Sequence, residues 1–60
     1  MYCKCINSDI FPCIYCPGRI YKWYWYDDAQ TLVCVIRDDL LMPSKIMSRE
    51  EFFHCFEIVD

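Results

Sequence analysis

Apolar and polar positions fall into periodic stretches separated by turn-forming residues. Over residues 2–6 the chain alternates, Tyr2, Lys4 and Ile6 pointing one way and Cys3 and Cys5 the other, which is the two-residue period of a strand. Residues 20–26 and 31–37 are rich in aromatic and β-branched side chains and predict a β-hairpin. Asp27-Asp28-Ala29-Gln30 would form its loop. Four loop residues place Tyr26 opposite Thr31, Trp25 opposite Leu32 and Trp23 opposite Cys34, and opposed side chains share a face. One face then holds Tyr21, Trp23, Trp25, Leu32, Cys34 and Ile36, the expected core. The other holds Lys22, Tyr24, Tyr26, Thr31, Val33, Val35 and Arg37, so that both cations of the hairpin lie on one side.

After the hairpin, Asp38-Asp39 is expected to end the strand, and Leu40-Leu41-Met42 to form an apolar knot before Pro43, where regular structure stops. Ser48-Arg49-Glu50-Glu51 has the form of a capping box, in which the serine oxygen accepts from the Glu51 amide and the Glu51 carboxylate reaches back. A helix over 48–57 follows, with Phe52, Phe53 and Phe56 on the side that meets the tryptophans and with early acids suited to the helix dipole. Ile58-Val59 reads as a short closing strand. The predicted class is α+β: a single domain, 1–60, with a cysteine-rich knuckle over 1–18, a hairpin over 19–37 and a helix over 48–57. An antiparallel hairpin or three-stranded sheet would pack on that helix.

Sixty residues change what this pattern can sustain. A chain of this size buries only about 60% of its unfolded surface, so a metal, disulfides or association usually supplement the core. Six cysteines make the first two relevant. Cys3 and Cys5 on one strand face and Cys13-Ile14-Tyr15-Cys16 running into Pro17-Gly18 form a candidate zinc cage, since four thiolates can converge on a tetrahedral centre. Free buried thiols, disulfides and a redox pair at Cys13 and Cys16 are the competing readings, and His54 could replace one sulfur ligand. Gly18, the one glycine, marks the turn where the backbone needs freedom. Cys34 and Cys55 read as small buried hydrophobes. The start of the chain lacks the basic-then-apolar pattern of an export signal, and no apolar run reaches the roughly 18 residues of a membrane span, so a reducing cytoplasmic setting is expected.

The net charge of −3 argues against direct nucleic-acid binding, whose footprint is a basic surface. Among aromatic residues flanked by charge, Lys22, Tyr24, Tyr26, Asp27, Asp28 and Arg37 form a candidate partner-binding surface, because tyrosine and arginine combine contact area with a hydrogen-bonding tip. A third strand or the helix covering that face is the competing reading. An enzyme is not expected: there is one histidine and no glycine-rich phosphate loop, and His54 and Cys55 diverge on a helix.

The stretch Ile46-Met47-Ser48-Arg49-Glu50-Glu51-Phe52-Phe53-His54-Cys55-Phe56-Glu57-Ile58-Val59 resembles the ends of small phage-encoded accessory proteins, in which a strand, a Ser-x-x-Glu-Phe helix start and a final Phe-Glu-x-Val recur. The resemblance covers about a quarter of the chain and brings no catalytic residue. It implies a protein that binds and inhibits or retargets a larger host protein or nucleoprotein complex, of the anti-defence or anti-CRISPR kind. The alternative is a zinc-ribbon-like nucleic-acid-binding module using Lys4, Arg19, Lys22, Tyr24 and Arg37. A homodimer is compatible with either.

Overall fold

The computed structural model describes residues 1–37 and 44–59. The expected strand end at Asp38-Asp39 and the apolar knot at 40–42 lie outside the described residues. The elements are β1 (Tyr2–Cys5), β2 (Ile20–Trp25), β3 (Leu32–Ile36), β4 (Lys45–Ser48), α1 (Arg49–Cys55) and β5 (Phe56–Ile58). All strand pairs are antiparallel, and the sheet order is β4-β3-β2-β1-β5. The α+β class and the single carboxy-terminal helix are as expected, but the sheet has five strands where a hairpin or three-stranded sheet was predicted. The additional strands are short. The four residues of β4 carry too little period to read alone, and the closing strand read at Ile58-Val59 is found at Phe56–Ile58, two residues earlier; they form because β3 and β1 offer them backbone partners.

Ser48 is both the last residue of β4 and the N-cap of α1, and Phe56 both caps α1 and opens β5. The capping box forms as read: the Glu51 N–H donates to Ser48 Oγ at 3.2 Å, and the Ser48 N–H donates to Glu51 Oε1 at 3.1 Å. Each bond satisfies an amide that a helix start would otherwise leave open. One unbroken segment therefore joins the two opposite edges of the sheet by way of the helix.

The helix lies on the inner face of the sheet. Phe52, fully buried, sits between Trp23 (ring centroids 4.8 Å) and Phe56 (5.5 Å, stacked), as the phenylalanine spacing predicted. Phe53 departs from that prediction and is exposed, because the core-facing stripe of a seven-residue helix is filled by Phe52 and Cys55. Burial of Phe52 alone stabilises by roughly 1.5–3 kcal/mol.

The hairpin register differs from the expected one by a residue. Trp23 pairs with Val35, Tyr24 with Cys34 and Trp25 with Val33, and the Tyr26 N–H donates to the Leu32 carbonyl at 2.8 Å. The loop thus takes in Thr31. Asp27 causes this: its Oδ1 accepts from the Thr31 N–H (2.8 Å) and the Leu32 N–H (3.0 Å), while Oδ2 accepts from the Thr31 hydroxyl. Gln30 takes up the remaining turn at φ 58°, and its N–H donates to the Asp27 carbonyl. A one-residue shift exchanges the faces of a strand. Val33 and Val35 are accordingly buried in the core beside Trp23, while Leu32, Cys34 and Ile36 point to the outer face.

Residues 7–19 cover the rest of the inner face, anchored by Tyr15. Its ring packs edge-on against Phe11, Tyr21 and Phe56. Its hydroxyl donates to the Val35 carbonyl at 2.8 Å and accepts from the Lys45 N–H at 3.2 Å, tying β3 to the start of β4. Burial pushes the Tyr15 hydroxyl up to about 12, partly opposed by the Lys45 amide.

Candidate functional site

The two faces of the sheet are covered differently. The inner face lies beneath α1 and the 7–19 segment. The outer face carries Tyr2 on β1, Ile20, Lys22 and Tyr24 on β2, Leu32 and Ile36 on β3, and Ile46 on β4, as fixed by the pairings of Tyr2 with Lys22, Lys22 with Ile36, and Cys34 with both Tyr24 and Ile46. Tyr26 continues it beyond the strand end opposite Leu32. No described element lies over this face. Tyr2, Ile20, Tyr24, Tyr26, Leu32 and Ile46 are between 37% and 54% exposed. Isolated exposed apolar side chains are ordinary, but a contiguous group across four strands is not.

Of the residues expected to bind a partner, Lys22, Tyr24 and Tyr26 share this face. Asp28 is exposed in the adjoining loop, and Asp27 is engaged by its own loop, whose hydroxyl and amide donors hold its carboxyl below its ordinary value. Arg37 does not join them. The register shift turns it to the inner side, where it is half-buried and its guanidinium lies 5.9 Å from the centroid of the Tyr15 ring. An arginine over an aromatic ring is attracted by the ring quadrupole, so the grouping of both cations on one face was not a constraint on the register. Tyr2, Ile20, Leu32 and Ile46 were missed as members of the face. The alternation of β1 already pointed Tyr2 away from the cysteines, whereas Leu32 could be placed only once the loop length was known.

Cys34 lies low on this face between Tyr24 and Ile46 and is buried, and the neighbouring Cys34 thiol pushes the Tyr24 hydroxyl up from its ordinary value. Its small side chain leaves the larger neighbours standing above it. Lys22 is the central cation. Its cross-strand neighbours are Tyr2 and Ile36, and its same-face neighbours along β2 are Ile20 and Tyr24. Lys4 and Glu57 face each other farther along, on β1 and β5.

The expected zinc ligands occupy two environments. Cys3 and Cys5 are buried in the core, and burial pushes the Cys5 thiol up from its ordinary value. Cys13 and Cys16 are exposed on the knuckle. Cys13 has φ 64° at the second central position of a turn closed by the Ile14 N–H and the Phe11 carbonyl. Pro17-Gly18 makes the next turn, with Gly18 at φ 89°, the left-handed conformation that favours glycine. The Cys16 N–H donates to the Tyr21 hydroxyl at 2.8 Å, which fixes the knuckle to β2. Among the described residues no three of His, Cys, Asp and Glu come together in a group that could hold a metal ion. A four-thiolate cage at Cys3, Cys5, Cys13 and Cys16 would require a rearranged knuckle. His54 is exposed, with Nε2 3.4 Å from Asn7 Nδ2, and Cys55 is in the core with its thiol also pushed up by burial.

No protein-family model, curated protein or solved structure matches the chain. Among the described residues, no helix is long and apolar enough to cross a membrane.

Proposed function

We propose that this chain is a non-catalytic binding protein that docks on a larger protein through the outer face of its sheet and blocks or retargets it. The supporting observation is the contiguous, uncovered apolar and tyrosine-rich face spanning β1 to β4. Tyrosines serve such surfaces because a rigid ring brings contact area at low entropic cost, while the hydroxyl stays satisfied by water or partner. On this reading the target is a host defence protein or nucleoprotein complex met in the host cytoplasm, the kind of target that the resemblance of residues 46–59 to phage-encoded accessory proteins implies.

Substituting Tyr24→Ala together with Tyr26→Ala tests the face. Both side chains are exposed, so the fold is expected to persist with a change of less than about 0.5 kcal/mol per site. A host protein retained by the parent chain and lost by the folded double variant supports the reading; equal retention by both removes it. Zinc belongs to the proposal only through a rearranged knuckle. Native mass spectrometry of protein purified without chelator tests that, and a mass equal to the bare chain eliminates it.

A further inference from the structure

We infer that the partner surface presents a carboxylate, set among apolar side chains, to Lys22. This rests on the docking reading above and names the chemistry of what docks. Lys22 lies in the middle of the face, ringed by Tyr2, Ile20, Tyr24 and Ile36, with no carboxylate among its described neighbours on that face. Covering the face removes water from the ammonium group, and a buried cation is costly unless an anion replaces that water. The described residues of the face supply none, so the anion is assigned to the occupant.

Charge distinguishes the candidates. On the described strands the outward-facing side chains include two cations, Lys4 and Lys22, against one carboxylate, Glu57, with Lys45 in the inner-face row of Val35 and Asp28 exposed in the loop beyond Tyr26. The middle of the face, around Lys22, is thus positive in a molecule of net charge −3 and is complementary to an acidic, apolar partner. A second copy would offer on its described strands only Glu57, already opposite Lys4, and at the loop edge Asp28, and would bury two copies of Lys22 against tyrosine and isoleucine. Nucleic acid is disfavoured because two lysines neutralise few phosphates and the rest of the chain repels them. A protein surface with an isolated carboxylate in an apolar setting satisfies both the aromatic area and the charge.

The test is selection from a phage-displayed random-peptide library on the immobilised full chain, on Lys22→Glu, on Lys22→Met, and on the Tyr24→Ala/Tyr26→Ala variant, each shown folded by circular dichroism. The parent is expected to enrich peptides in which Asp or Glu is flanked by apolar residues. Those synthetic peptides should bind Lys22→Glu about tenfold or more weakly, and selection on Lys22→Glu should turn towards Lys and Arg. Lys22→Met, which keeps the aliphatic stem, should lose the acidic preference without gaining a basic one. An acid-free consensus bound equally by parent and Lys22→Glu overturns the charge assignment and leaves the docking face standing. No enrichment over the double-tyrosine variant overturns both. Sedimentation as a dimer that protects Tyr24 from modification, or displacement of the selected peptide by a single-stranded oligonucleotide, also overturns the inference.

Discussion

Trp23, Val33 and Met47 on the inner face are at most 3% exposed, while Tyr24, Leu32 and Ile46, their respective neighbours in the chain, are 37% exposed or more on the outer face. Both sets are apolar or aromatic. What separates them is which side the helix and the 7–19 segment cover, and that is decided by two connections. The β4–α1–β5 segment has no intervening loop and so must cross one side of the sheet. Tyr15 can reach the Val35 carbonyl and the Lys45 amide only from that same side. Hydropathy marks both faces as fit for burial, and connectivity selects the one buried within the chain.

The sharpest way to break this comparison is Phe52→Ala, which removes the ring between Trp23 and Phe56. A loss of about 3–5 kcal/mol is expected, a third or more of a total stability on the order of 3–9 kcal/mol for a chain of this length. Thermal melts by circular dichroism read it directly, and a melting curve like that of the parent would show that the helix does not hold the inner face together.

Tyr15→Phe asks for less. It keeps the ring and leaves the Val35 carbonyl and the Lys45 amide without the hydroxyl, for a cost of about 1–3 kcal/mol. The same hydroxyl gives an alkaline signature. Its folded pKa, pushed up to about 12, lies above the unfolded value of about 10. The folded state therefore holds the proton more tightly, and the associated stability is fully present below about pH 10 and is lost as pH rises towards 12. Denaturation midpoints of the parent should fall across that window more steeply than those of Tyr15→Phe; parallel curves would remove Tyr15 as the anchor.

A smaller effect is expected in the hairpin loop. Gln30 holds φ 58°, a conformation glycine adopts freely, so Gln30→Gly should raise stability by up to about 1 kcal/mol in urea titrations. Destabilisation would mean that the loop does not take this conformation. The smallest expected change on the acid side belongs to Asp27, whose carboxyl is held low by the Thr31 hydroxyl and the Leu32 amide. Its contribution is present above the unfolded carboxylate pKa and is lost as pH falls through the lower folded value, and Asp27→Asn should flatten that part of the acid titration.

Several features were legible in the sequence. Ser48 and Glu51 specify the helix start through local chemistry, and Phe52 and Phe56 a turn apart specify its buried side. The inward set Tyr21, Trp23 and Trp25 on β2 was also readable from its period. The partner strand was not, because its facing depends on whether Thr31 belongs to the loop, and only the Asp27 hydrogen bonds settle that. β4 was too short to show a period, the closing strand was read two residues late, and Tyr15 could not be recognised as an anchor because its partners are 20 and 30 residues away. For the candidate face, Lys22, Tyr24 and Tyr26 were legible from alternation within one strand. Arg37 was misplaced by the same residue of slippage that hid Leu32.

The unbroken β4–α1–β5 connection sets the curvature of the molecule. Ser48 lies in the row of Leu32 and Tyr26, and Phe56 in the row of Cys5 and Arg19, so the two ends of α1 meet the five-stranded sheet near diagonally opposite corners. In a flat sheet, strand spacings of about 4.8 Å and residue rises of about 3.3 Å would put those corners about 30 Å apart. The helical path between them spans only about 12 Å. The sheet must therefore curl around the helix along that diagonal, which makes the outer face convex along it. A flat partner would meet it only along a narrow diagonal, so a surface able to engage Tyr2, Tyr24 and Ile46 together has to be a trough.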